Sequence, residues 1–487
     1  MKLSHLIGGA VSALLVSQAA FAYKPDVTTP DLEVRLSGAS ATANAIAKLV
    51  AEQLCVQNAN LDTFSGTNQK AVFCDMSAAT AGVSGDLKVL VRKSAQGGSG
   101  TGVKPVCEAP TGGLVTFATF TTAGATPSCT ESAPGSHVWN CAGFATTDLV
   151  PDAGTSDVKP QEVLSGASNG CGANVYPSYE TVFGIVVSKQ LRNALQEVQS
   201  LSVGTDDAAN MPSLSTGLVS AIMAGRVKKW SDVQINGVAL TTAVGAGTAN
   251  GYGALSGADR VTICRRTDTS GTIASQSIRL LQRNCVAGAL PVASSNVVGA
   301  DINGPVIPAG QSGSDVLEQC LNSFSTTSAY AGRNGSKWAI GHDATDRTYI
   351  GAPTGQTEWR FVRLNGVLPT FENVANGSYK FSVSSTIQWN AAYLTNTDKL
   401  AIVTSLKDSA ATPAALGAVR VAQDWGSGGV MALGDNGAVV AYDAAGKYDD
   451  SLPATTLTHN PSGTNFSNCI DPSLPSATKK VPLPTGN

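Results

Sequence analysis

The sequence predicts an α/β protein of two lobes, and three observations lead there. Short apolar strands alternate with helical stretches along most of the chain, the pattern that builds parallel sheets. The 487 residues are enough for two domains, each able to bury its own core. Turns of Gly, Ser and Thr stand at strand-to-helix junctions, where a ligand sits in open sheets of this kind.

Taken in order, the chain opens with Lys2 and an apolar run from Leu6 to Val16, far shorter than the roughly 20 residues a membrane helix needs. With Ala20-Phe21-Ala22 after it, residues 1–22 read as an export signal cleaved before Tyr23. No Cys follows to accept a lipid, so the expectation is a soluble periplasmic, secreted or cell-surface protein. A first strand spans Leu32 to Leu36. After Gly38-Ala39-Ser40-Ala41-Thr42, the residues Ile46, Leu49, Val50 and Leu54 recur at helical spacing. A second strand, Leu87 to Val91, runs into Gly97-Gly98-Ser99-Gly100-Thr101-Gly102. The stretch 103–143 is expected to be a disulfide-tied surface insertion, being rich in Gly, Thr, Pro and Cys.

Thr181 to Val187 is a continuous β-branched run suited to a buried strand, with a helix from Ser188 to Val198 behind it. Leu214, Leu218, Val219, Ile222 and Met223 mark a helix face that Gly225 ends. Trp230 beyond it is read as core. The strand Arg260 to Cys264 meets Arg265-Arg266-Thr267-Asp268-Thr269-Ser270-Gly271-Thr272, and another helix begins there, while 286–315 reads as a loop excursion. Trp338 to Gly341, Arg360 to Leu364 and Tyr379 to Val383 are the later strands, and Lys399 to Leu406 starts a late helix.

Composition excludes several classes of function. Charged residues are 14% of the chain against a usual ~25%, and the net charge is −3 with no block of Lys or Arg, so nucleic acid is not a partner. Ten cysteines behind an export signal should be mostly paired; Cys55 with Cys74, Cys129 with Cys141 and Cys285 with Cys320 are plausible staples, although spacing alone does not fix the pairing. No Cys-x-x-Cys occurs, and His137, His342 and His459 are scattered, so neither a metal nor another cofactor is expected.

Three small-residue turns remain: Gly38 to Thr42, Gly97 to Gly102 and Thr269 to Thr272. Backbone N–H groups and hydroxyls at the start of a helix suit an anion, and no P-loop pattern is present. On these residues the chain resembles the periplasmic phosphate-binding proteins of ABC transporters. Ile263 to Thr272 is similar to the family's Arg, Asp, Ser-Gly-Thr loop, Leu36 to Thr42 to its first phosphate loop, and Ile222 to Asp232 to its helix, Gly, Lys, Trp, Asp segment. Leu364 to Val374 is a weaker echo.

The resemblance implies a class II periplasmic-binding fold. One lobe would hold 23–186 plus 388–487 and the other 187–387, hinged by two crossovers near Val186 and Gln388. It implies inorganic phosphate as ligand, an ABC permease as partner, a monomer, and binding without catalysis. Thr42, Ser99, Arg266, Ser270, Gly271 and Thr272 would bind the anion, and Asp268 would orient Arg266 by an ion pair. Asp148, after Phe144-Ala145-Thr146-Thr147, would be the hydrogen-bond acceptor. Two departures stand out: no Pro follows Thr42, and the insertion separates Ser99 from Asp148. Alternative readings are a secreted phosphatase, which would need a nucleophile or metal, and a surface or matrix protein that has kept the fold.

Overall fold

The structure is a computed structural model describing residues 23–164, 170–243, 259–282, 304–433 and 468–469. The expected export signal, Cys285 and His459 lie outside the described residues.

The first lobe is built on a mixed sheet. β1 (Leu32–Gly38) feeds the helix Ala43–Leu49, which continues through the wider turn Val50–Leu54. Ile46, Leu49, Val50 and Leu54 are all buried, as their spacing predicts. A hairpin of β2 (Asp62–Gly66) and β3 (Gln69–Met76) leads to β4 (Leu87–Ser94), which lies parallel to β1. Cys55 and Cys74 form a disulfide between the end of the helical turn and β3.

The front of the stretch expected to be an insertion is instead a core helix, Ser99–Cys107. Its sequence, SGTGVKPVC, has poor helix propensity, and Pro105 removes the N–H that would bond the carbonyl of Thr101. That carbonyl accepts from the Ser37 hydroxyl at 2.8 Å, so the bond lost within the helix is made to β1. Close packing does the rest: a Cβ on Gly38, whose φ is +105°, would lie 2.7 Å from the Gly102 Cα. Contacts with the sheet override local preference here.

The surface insertion is narrower than expected and consists of two ribbons. β5 (Val115–Thr119) pairs with β8 (Ala145–Leu149), while β6 (Cys129–Glu131) and β7 (Val138–Cys141) form a hairpin that extends the sheet beyond β2. The Cys129–Cys141 disulfide closes that hairpin, and Phe64, Phe73, Phe120 and Trp139 pack beneath it.

β9 (Ala153–Ser156) returns the chain to the centre, parallel to β1. β10 (Val175–Ser188) then runs 14 residues and crosses to the second lobe. Its first half pairs with the strand Ser382–Gln388, which brings the chain back and lies antiparallel to both β9 and β10. The order in the first lobe is therefore β4, β1, β9, returning strand, β10.

The second half of β10 lies between the strands Ala339–Ala344 and Trp359–Leu364 and antiparallel to both. Ala339–Ala344 pairs in parallel with Thr262–Ile263, which bridges in parallel to Val306. The order is Val306, Thr262–Ile263, Ala339–Ala344, β10, Trp359–Leu364: the plan of the first lobe, again with a crossing strand as the antiparallel member. This is a two-lobed class II arrangement; Val186 stands in the half of β10 that pairs in the second lobe, and Gln388 at the end of the returning strand that pairs in the first. The lobes have separate cores, one around Val34, Leu36, Val91 and Ile402, the other around Phe183, Ile222, Trp230 and Ile340. Trp230 is core, with its indole N–H 2.9 Å from the Ser336 hydroxyl. Gly225, at φ +71°, ends the helix Thr216–Met223. No helix among the described residues is long and apolar enough to cross a membrane.

Candidate functional site

In each lobe the parallel strands end on the side that faces the other lobe, and the small-residue turns follow those ends. The β1 turn carries Ser40 and Thr42, both buried; the Thr42 hydroxyl is 2.8 Å from that of Tyr179 on the crossing strand β10. Lys93, at the end of β4, is buried and donates to the carbonyls of Gly38, Ala39 and Ser94 at 2.9, 3.2 and 3.0 Å. Burial pushes its ammonium down to about 7, and the Asp157 charge pulls the other way.

Ser99 opens its helix, and its hydroxyl donates to the Asp157 carboxylate at 3.1 Å while accepting from the Asp157 backbone N–H at 2.9 Å. Asp157 follows β9 directly and is fully buried. Burial raises its carboxyl to about 6, against the pull of Arg266, Ser99, Thr272 and Lys93.

From the second lobe, the strand Thr262–Ile263 leads through Arg265 and Arg266 to the helix Gly271–Arg279, capped by the Ser270 hydroxyl, which accepts from the Thr272 N–H at 3.2 Å. Arg266 is fully buried. Its Nε donates to the Gln311 carbonyl at 3.0 Å and its terminal nitrogens reach Thr272, Ser314 and the Ser312 carbonyl at 3.3–3.4 Å. Burial pulls its guanidinium down, opposed by the carboxylates of Asp343 and Asp157. The Thr272 hydroxyl links the two lobes, accepting from Arg266 and donating to Asp157 at 3.3 Å. His342 lies behind, its Nε2 2.7 Å from the Thr272 carbonyl; burial pushes the ring down to about 4, so it is neutral and that nitrogen is the donor.

The turns of the two lobes touch directly. The Gly100 N–H donates to the Thr269 carbonyl and the Gly97 N–H to the Ser312 carbonyl, each at 2.9 Å. A Cβ on Gly271 would stand 2.2 Å from the Ser99 hydroxyl, so only glycine allows this approach. Several polar atoms in and around the cluster are buried without a partner, among them the Ser40 hydroxyl, the second carboxylate oxygen of Asp157, one carboxylate oxygen of Asp343 and His342 Nδ1. Buried polar groups are normally satisfied, so the free Asp157 oxygen, next to the Ser99 and Thr272 hydroxyls, is a point where a ligand would complete the network.

Thr42, Ser99, Arg266, Ser270, Gly271 and Thr272 thus lie on the loops that line one interlobe cluster, and two sequence expectations are corrected. Asp148 is exposed on the β5–β8 ribbon, accepting from the Thr116 hydroxyl at 2.7 Å; the cluster's carboxylate is Asp157. Asp268, 74% exposed, pairs with Arg265 and not with Arg266. The turn from Arg266 to Ser270 points Asp268 outward, and backbone carbonyls with Thr272 and Ser314 orient Arg266 instead. Asp157 and Lys93 were missed. The signal for Asp157 was a small-residue strand, Ala153-Gly154-Thr155-Ser156, ending directly on a carboxylate; the sequence around Lys93, Arg92-Lys93-Ser94, carries no comparable signal. Of the expected disulfides, Cys129–Cys141 and Cys55–Cys74 form, whereas Cys320 bonds Cys264. That bridge ties the strand before Arg266 to the helix Ser314–Thr327. Cys107–Cys171 ties the end of the Ser99 helix to the segment before β10.

What fold and site define together is a two-lobed α/β protein with a buried, hydroxyl-rich cluster around Arg266 and Asp157 between its lobes. No known family and no curated protein matches the chain. Among solved structures it is similar to a putative phosphate ABC transporter substrate-binding protein with bound phosphate from Clostridium perfringens, at 14% identity and a TM-score of 0.38, over 77% of this chain and 92% of that one. It is also similar to PstS from Borrelia burgdorferi (10% identity, TM-score 0.30, 77% of this chain and 93% of that one). An ABC-type phosphate transport receptor from Vibrio cholerae is a third (14% identity, TM-score 0.28, 53% of this chain and 74% of that one).

Proposed function

We propose that this protein binds inorganic phosphate between its lobes and delivers it to an ABC permease. The observation that carries the reading is the state of Asp157. One of its oxygens accepts from a hydroxyl of each lobe, the other has no partner, and the Arg266 guanidinium stands across the Thr272 hydroxyl. An anion at this point would take charge from Arg266 and donors from Ser40 and Thr42, and the Ser99 and Thr272 hydroxyls would turn to it from Asp157. A P–OH would donate to the free oxygen of Asp157, which when ionised can only accept. Entry of the anion needs the turns to part, and closing over it removes water and strengthens each hydrogen bond. The closed form is then the one a membrane partner recognises.

His342 is neutral and bonded to a backbone carbonyl, and no serine of the cluster touches a histidine, so the phosphatase reading has no activated nucleophile among the described residues. Retention of labelled phosphate tests the proposal. Arg266→Ala loses a charge-assisted contact in a closed site, at least ~2 kcal/mol, or roughly 30-fold in affinity. Equal retention by a folded Arg266→Ala variant would place the site elsewhere.

A further inference from the structure

A second chamber lies between the lobes, separate from the Arg266 cluster, and the sequence insertion forms part of its wall. Its volume is about 660 Å³, within the range of small-molecule sites. Ser65 and Lys70 on the β2–β3 hairpin and Asn140 on the disulfide-closed β7 line it from the first lobe; Arg347, Thr348 and Gln356 line it from the second. Among the described residues no aromatic side chain lines it, and hydroxyls and amides are its commonest groups. Such a lining does not suit a planar aromatic or a lipid chain; it suits a molecule bearing many hydroxyls.

The charges decide the rest. Arg347 is buried and already held by two carboxylates, Asp315 and Glu318, the latter at 2.6 Å. Asp315 also accepts from the Asn68 N–H of the first lobe at 2.6 Å. The Lys70 ammonium, by contrast, makes one hydrogen bond, to the Ser65 hydroxyl at 2.5 Å, of the three it can donate. Of the three acids near Lys70, Asp315 and Glu318 are committed to Arg347 and Asp346 does not line the chamber, so Lys70 is the charge left for a ligand. From this geometry we infer that the chamber binds an acidic sugar, its carboxylate or phosphoryl group on Lys70 and its hydroxyls on Asn140, Thr348 and Gln356. Because both lobes contribute, such a ligand favours the closed arrangement, and the insertion supplies its outer wall. None of these residues belongs to the Arg266 cluster, so the inference stands apart from the phosphate reading.

The test is calorimetric titration of gluconate, glucose 6-phosphate and glucose into the full chain, and into its Lys70→Gln and Arg266→Ala variants. Both acids are expected to bind at least about 10-fold more tightly than glucose, the gap a charge-assisted contact supplies. Lys70→Gln reduces them to the level of glucose, and Arg266→Ala leaves the preference for gluconate over glucose in place. The tighter of the two acids identifies the preferred head group. If Lys70→Gln does not fold, Asn140→Ala on the exposed ribbon serves instead and weakens both acids severalfold. Acids that bind no better than glucose overturn the inference. So does binding of glucose 6-phosphate alone that disappears with Arg266→Ala, since its phosphoryl group would then be in the Arg266 cluster.

Discussion

Asp157 is held in place by donors from both lobes, so its protonation state couples the ligand's chemistry to the closure of the protein. Burial raises its carboxyl to about 6. An acid whose folded value is raised is best tolerated when protonated: its contribution to stability is fully present below about 4, its unfolded value, and is lost as pH rises through about 6. In the ligand-free protein Asp157→Asn should therefore flatten the fall in stability across that window, which thermal melts at a series of pH values would show. In the proposed phosphate site the same group would govern selectivity. Sulfate carries no proton near neutral pH, so an ionised Asp157 would press an unpaired charge against it, a penalty of several kcal/mol in a desolvated site. Discrimination against sulfate should weaken as pH falls through about 6 and should be reduced at every pH in Asp157→Asn. Competition of sulfate against labelled phosphate in the two proteins measures this, and an unchanged ratio would remove Asp157 from the acceptor role.

At the scale of elements, the glycine turns set how closely the lobes meet. Gly271 is the sharpest case, because its missing Cβ would lie 2.2 Å from the Ser99 hydroxyl and 2.8 Å from the Asp157 Cβ. Gly271→Ala should leave each lobe folded, since the helix start itself accepts alanine, but should prop the turns apart and cost at least about 10-fold in phosphate affinity, or ~1.4 kcal/mol. Circular dichroism with a phosphate titration separates the two effects. The Arg266 turn and the Gly38–Thr42 turn were legible in the sequence because each follows its strand within a few residues, so local pattern and three-dimensional position coincide. Asp157 was not. Asp148 lies near the end of β8 and Asp157 directly after β9, both on short strands rich in small residues, and what separates them is the partner: β8 pairs with β5 in a surface ribbon, whereas β9 pairs with β1, more than a hundred residues earlier. Pairing over that distance leaves no local trace. The Ser99 helix was illegible for a related reason, its stability coming from Ser37 and from backbone packing on β1, not from its own residues.

At the scale of the whole molecule, two crossing strands join lobes of the same strand order, and loops from each meet over Asp157 and Arg266. That architecture follows from the alternation of strands and helices, and the repeated turn chemistry shows which edges face each other. The insertion is the part that composition described least well: its first residues belong to the core, and its remainder walls a chamber between the lobes. The account rests on the claim that the interlobe cluster is built for a protonated tetrahedral oxyanion. Side-by-side calorimetric titration of phosphate and of sulfate into the protein near neutral pH tests it most directly. The account predicts a single phosphate site per chain and no measurable sulfate binding under the same conditions; equal binding of the two anions, or no heat from either, would contradict it.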